Sequence, residues 1–266
     1  MGQEFGFFHF TPPTTGQILW KYLDLHKFIY LLTEQKLFFT RLDKFNDPFE
    51  GVATRILREN NHYSKIPSKR SDFPSEMSST EREQWLNEKK LFEFIKNDET
   101  EKAQKCQYVS CWHSSSRESM AMWNLYSNPD SVALKIAFND LQTALTPSFK
   151  KFISDNGNRV KIIGSSVDYL PLNPFDPTLP KQKIKYRALK KDLSFEYEKE
   201  YRFLIITIDK LDRVPVSYSI PIRLADLKMT VVTHPNLEPW KYKNLQKLLI
   251  LFKSNLTLEK SPIMLK

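Results

Sequence analysis

The sequence predicts a mixed α+β fold, with mostly antiparallel sheets and peripheral helices. Two observations carry this. Apolar segments of strand length alternate with helical ones, but in the order strand, helix, strand, without the even βα alternation of a doubly wound parallel sheet. Apolar residues make up 41% of the 266 and aromatic residues 13%, enough for a substantial core.

The elements follow in order. "ILWKYLD" (Ile18–Asp24) reads as a strand. "LHKFIYLLTEQ" places Leu25, Phe28, Ile29, Leu31 and Leu32 on one helical face. "KLFFTRL" (Lys36–Leu42) is a second strand, closed by the turn "FNDPFE", and residues 60–77 read as a loop. A long helix follows, opened by Ser79, Thr80 and early glutamates. "CQYVSCWH" is a strand, "SRESMAMWNLYS" a helix and "SVALKIAF" a strand. "DLQTALTPSFKKFISDN" is helical with a break expected at Pro147, and "RVKIIGSSVDYL" is a strand whose Gly164 suggests a bulge. "KQKIKYRALKKDL" reads as a basic helix and "EYRFLIITI" as a buried strand. "VSYSIPIRL" and "KMTVVTH" are short strands, and Pro239 opens a last helix. We expect one domain over 1–266, with a helical insertion around 60–105.

Composition narrows the function. Six glycines and no GxGxxG or GxxxxGK[ST] argue against Rossmann and P-loop sites. The net charge of +9 favours anionic partners, and its densest stretch, Lys181–Lys191, is a candidate nucleic-acid surface. Cys106 and Cys111 cannot make a disulfide framework and read as reduced thiols. No apolar run reaches bilayer length and the N-terminus lacks a secretory pattern, so the expected location is cytoplasmic, with no membrane partner. Five scattered histidines without HxxxH or CxxC supply no metal set.

Three motifs remain. "FNDPFE" is a turn anchored by Phe45 and Phe49, or one that turns Asn46, Asp47 or Glu50 toward a ligand. In "YVSCWHSSSRESMAMWNLYS", Ser114–Ser116 supply cap oxygens, Glu118 fits a capping box, and Met122, Trp123 and Tyr126 have core spacing. Cys111 and His113 share a strand face, but no third residue orients them as nucleophile and base. In "SFEYEKEYRFLIITID", strand alternation puts Glu196, Glu198 and Glu200 on one face, with Arg202 there to pair Glu200. That pattern is either a structural ion pair or a working carboxylate at the rim of a cleft.

Together these motifs, with Lys21-Tyr22, resemble a bacterial domain-of-unknown-function family numbered 2971. They match at Phe45–Glu50, Cys111-Trp112, Met122-Trp123, Tyr126 and Tyr197–Arg202. A second resemblance, in architecture, is to ADP-ribosyltransferases, which bind NAD in a cleft between two small sheets. It departs on the first strand, where Lys21 or Tyr22 stands in place of His or Arg. The resemblance implies a split sheet, NAD as substrate and a macromolecular acceptor, in a toxin or defence effector. It implies catalytic roles for Glu200, Glu198 and Tyr126, and NAD contacts from Lys21, Tyr22, Arg41, Ser110 and Trp123. The alternatives are a basic nucleic-acid-binding or nucleic-acid-processing protein and a non-catalytic interaction domain.

Overall fold

A computed structural model describes residues 6–13, 17–47, 49–172, 186–252 and 255–263. A ten-stranded mixed sheet organises it. The chain enters through β1 (Phe8–Phe10) and β2 (Ile18–Leu23), then α1 (Leu25–Glu34), capped by the Asp24 carboxylate on the Lys27 amide, and β3 (Lys36–Arg41). Two helices follow, α2 (Thr54–Ser64) and α3 (Ser79–Lys105). The first replaces the beginning of the expected loop, because Ile56 and Leu57 bury against Phe92 of α3. The second opens on a reciprocal capping box between Ser78 and Glu81.

The sheet continues with β4 (Gln107–Ser114), the helix α4 (Met120–Tyr126), β5 (Val132–Ala137), α5 (Phe138–Asp155) and β6 (Val160–Ser166). A small parallel pair, β7 (Asp168–Leu170) and β8 (Lys190–Asp192), forms a second sheet. The large sheet resumes with β9 (Glu200–Thr207), β10 (Ser217–Pro221) and β11 (Met229–Thr233), followed by α6 (Pro239–Leu251) and β12 (Thr257–Lys260). Most pairings are antiparallel; β1–β6 and β11–β12 are parallel.

Four local expectations are corrected. Helix α5 runs through Pro147, since Phe138, Leu141, Leu145, Phe149 and Ile153 form a continuous buried face that outweighs one lost backbone bond. Gly164 marks a close approach rather than a bulge: its register to Phe203 is unbroken, and an added Cβ would lie 2.5 Å from Tyr201 Oη and 2.6 Å from Phe10 Cδ1. The basic helix does not form where it can be seen, because Lys190–Asp192 pairs as β8; residues 181–185 lie outside the described residues. The Ser194–Glu198 approach is not strand. A 3₁₀ helix over Leu193–Glu198 ends at Lys199, whose φ of 43° is left-handed, and β9 begins one residue later.

The feature that positions the site is a fork at β4. One edge of β4 pairs along its length with β9. The other edge is shared: β2 takes its far end (Leu19 with Ser114, Trp20 with His113) and β3 its near end (Thr40 with Val109, Arg41 with Tyr108). Neither β2 nor β3 covers Ser110–Trp112, so the sheet divides there and a cleft opens between its branches.

Candidate functional site: a carboxylate cleft at the fork

Each branch delivers side chains to the opening. From β2 come Trp20, Lys21 and Tyr22; from β4, Cys111, Trp112 and His113; from α4, Met122 and Tyr126; from the turn after β3, Phe45–Asp47 and Glu50. Lys191, Phe195, Glu198 and Glu200 close the far wall of this 680 Å³ cleft. A second, more apolar lobe of 520 Å³ shares Lys21, Tyr22, Lys27, Thr40, Phe45 and Cys111 with the first.

Five buried charged residues form one network. Arg202 donates from Nε to Glu200 Oε2 at 2.6 Å and from Nη2 to Oε1 at 3.2 Å. Its Nη1 donates to Glu50 Oε1 at 2.5 Å and to the Ala188 carbonyl at 2.6 Å. Lys191 Nζ bridges Glu198 Oε2 at 2.5 Å and Glu200 Oε1 at 2.9 Å. The Tyr126 hydroxyl donates to Glu198 Oε1. Backbone bonds set the corner: His113 Nδ1 donates to the Glu198 carbonyl at 2.6 Å, and the Glu200 amide donates to Tyr169 Oη at 2.7 Å. Because a carbonyl only accepts, Nδ1 carries the His113 proton, and burial pushes that imidazole below its ordinary value.

The two glutamates part company electrostatically. Burial pushes Glu198 up, to about 7, and the neighbouring Glu200 charge adds to the effect. Burial alone would also raise Glu200, but the Arg202 guanidinium and Lys191 override it and hold that carboxyl well below the usual range. Three carboxylates against two cations leave one surplus negative charge, and a proton on Glu198 removes it. The arrangement is an ionised carboxylate beside a carboxyl that titrates near neutrality, the pairing that acid–base chemistry needs. Across the cleft, Lys21 donates to Ser110 Oγ at 3.2 Å and to the Cys111 carbonyl at 3.0 Å, filling the gap in the β4 edge. Burial lowers its amine to about 8. Cys111 is pushed up by burial and stays a thiol, which removes it as a nucleophile.

Of the residues expected at a site, Glu200, Glu198, Tyr126, Lys21 and Tyr22 converge on the cleft. Three do not. Trp123 is fully buried beneath it, its indole nitrogen donating to Glu118 Oε2 at 2.8 Å, so Glu118 serves that ring while Ser119 caps α4. Arg41 is held by Asp43 (Nε–Oδ1 2.7 Å) and the Val214 and Pro215 carbonyls. Ser110 is buried and reaches the site only through Lys21.

The sequence does not single out Lys191, one lysine of a basic run; it stands seven residues before Glu198, its partner. The described end of that run is not a solvent-facing cationic surface: Lys190 and Lys191 are buried and Arg187 pairs with Glu99. Among the described residues, no group of three or more His, Cys, Asp and Glu could hold a metal ion. No described helix is long and apolar enough to cross a membrane.

A family described as "Protein of unknown function (DUF2971)" matches residues 122–203. The chain resembles that family over this stretch. The match covers Met122-Trp123, Tyr126, Lys191, Glu198, Glu200 and Arg202, one wall of the cleft, and stops short of "FNDPFE". No curated protein matches the chain. Among solved structures, Thermus sp. 2.9 DarT in complex with NAD+ is similar over 94% of this chain and 98% of that one, at 8% identity and a TM-score of 0.33. A likeness of that size leaves the chemistry to be argued from the cleft itself.

Proposed function

We propose that the cleft binds NAD and breaks its nicotinamide–ribose bond, passing the ribosyl carbon to a macromolecular acceptor or to water. The observation that carries this reading is the convergence of Glu198, Glu200 and Tyr126 on one wall, opposite Lys21. Two adjoining lobes with a shared wall suit a ligand with a ring at each end and a charged link between them. Lys21, Lys27 and Lys44 line the polar lobe, and the first two also face its neighbour, a placement suited to a pyrophosphate.

Cleavage develops positive charge at the ribosyl carbon, as in glycoside hydrolysis. Glu200, kept ionised by Arg202 and Lys191, supplies a preorganised negative charge for that centre. Glu198 takes the proton of the incoming acceptor, a task matched to its value of about 7. Tyr126 holds one Glu198 oxygen and His113 fixes its backbone, so the base keeps its aim.

The test is nicotinamide release from NAD by the full chain, compared with Glu198→Gln. Release that falls by about 10²- to 10⁴-fold in the variant supports the reading. If the wild-type chain releases no nicotinamide with or without added acceptor, or if the variant matches it, the reading is wrong. The non-catalytic interaction domain then stands, with these carboxylates serving stability alone.

A further inference from the structure

Two buried lysines, Lys190 and Lys191, and the half-buried Lys21 stand about the carboxylate network, and their surroundings differ. Lys191 is clamped between Glu198 and Glu200, which hold it as an ammonium. Lys190 is 2% exposed, lines neither lobe, and its Nζ has no hydrogen-bond partner among the described residues. Of these three, Lys21 is the one that lines both lobes. Its described partners are uncharged, the Ser110 hydroxyl and the Cys111 carbonyl, and its amine lies 5.3 Å from the Trp112 ring centre. An amine without a carboxylate clamp, held in a fixed position on a residue that lines a walled cavity, is placed to act as a nucleophile once unprotonated, since two donated bonds leave its lone pair free.

We propose that Lys21 is a covalent site for aldehydes, its amine adding to the carbonyl carbon of a compound seated in the cleft to form an imine. The amine nitrogen attacks the carbonyl carbon and forms the C–N bond, while the carbonyl oxygen takes a proton. The resulting carbinolamine loses that oxygen as one water, with the second hydrogen coming from nitrogen, and no oxidant or reductant enters. Glu198, on the opposite wall of the same lobe, is the acid that assists departure of the hydroxyl. Two sources share this chemistry. A planar aromatic aldehyde fits the lobe lined by Tyr22, Tyr30, Phe38 and Phe45. The open-chain form of a ribosyl product also carries an aldehyde, at the carbon released by the cleavage proposed above, and this second source rests on that reading.

Burial brings the Lys21 amine to about 8. Roughly a quarter of it is therefore unprotonated at about pH 7.5, against about 0.1% of an ordinary surface lysine. Lys190 has a similarly lowered value, about 8, but no access, which makes it an internal control.

The experiment treats the full chain with pyridoxal or with ADP-ribose at about pH 7.5 in cyanoborohydride, which reduces an imine to a stable amine, and maps adducts by peptide mass spectrometry. Lys21 should be modified on the order of tenfold faster than exposed Lys102 or Lys151, which line neither lobe, with Lys190 untouched. Lys21→Arg should lose only the fast adduct. Labelling by pyridoxal alone assigns the site to aromatic aldehydes, whatever becomes of the NAD reading; labelling by ADP-ribose assigns it to the ribosyl product. Adducts spread over surface lysines with Lys21 unmodified in both arms overturn the proposal, and because this is read on the unmutated chain, folding of the variant does not affect it.

Discussion

Arg202 grips both oxygens of Glu200, from Nε at 2.6 Å and from Nη2 at 3.2 Å, and neither residue is more than 6% exposed. Removing one charge from such a pair leaves the other buried and uncompensated, at a cost of about 3–5 kcal/mol. Glu200→Gln should therefore lower the denaturant midpoint strongly. Glu198→Gln should not, because the amide imitates the protonated acid that the network already favours. Equal losses of stability in the two variants would contradict this division of labour.

The same division gives opposite pH dependences. Glu198 titrates in the folded protein at about 7, above the ordinary 4.5, so between those values the folded state holds more protons. Its contribution to stability falls as pH rises through that window. Glu200 lies below the ordinary value, so its contribution is present above about 4.5 and is lost as pH falls below it. Melting temperature measured against pH should lose its decline between 4.5 and 7 in Glu198→Gln while keeping its acid collapse. For nicotinamide release, a base at Glu198 predicts a rate rising through about pH 7.

Gly164 has no room for a methyl group, with Tyr201 Oη and Phe10 Cδ1 closer than 3 Å to where it would go. The neighbours are backed by Phe149, Phe138 and Phe203, so they cannot yield cheaply. Gly164→Ala should cost about 1–3 kcal/mol in chemical denaturation. A neutral substitution would mean that β1 moves freely on β6.

Lys190 keeps an ammonium in a dry place without a hydrogen-bond partner among the described residues. Burial lowers its value to about 8, and the penalty at neutral pH is on the order of 3 kcal/mol. Lys190→Met, of similar length, should raise the melting temperature at pH 7 and narrow its advantage as pH climbs past 8. A lower melting temperature would show that the Glu50 and Asp47 charges outweigh the burial.

Much of this was legible in the sequence. β9 announces itself in "RFLIITI", α1 in its apolar face, and the carboxylate wall in Glu198, Glu200 and Tyr126. The two glutamates share a wall for a different local reason than strand alternation suggests. Strand alternation put them on one face, whereas a 3₁₀ turn and the left-handed Lys199 bring both to Lys191. Such a corner leaves no periodicity to read. Lys191 was hidden because a lysine among lysines looks solvated, and only tertiary pairing singles it out. Strand β8 escapes the sequence, Lys190–Asp192 being too brief and polar to carry a pattern, while Asp168–Leu170 lies inside the expected strand "RVKIIGSSVDYL", which divides at Val167 into β6 and β7.

The fork at β4 has a mechanical consequence. β2 and β3 form opposite jaws of the cleft yet share no ladder, each hinged on β4 by two residue pairs. Spreading the jaws would load these short hinges first, while the long β4–β9 seam stays closed as a spine. The aperture is thus tied to the wall that bears the carboxylates: Glu50, in the turn after β3, holds Arg202, and His113, at the β2 hinge, holds the Glu198 carbonyl, so a guest that spreads the jaws also shifts the charges that await it.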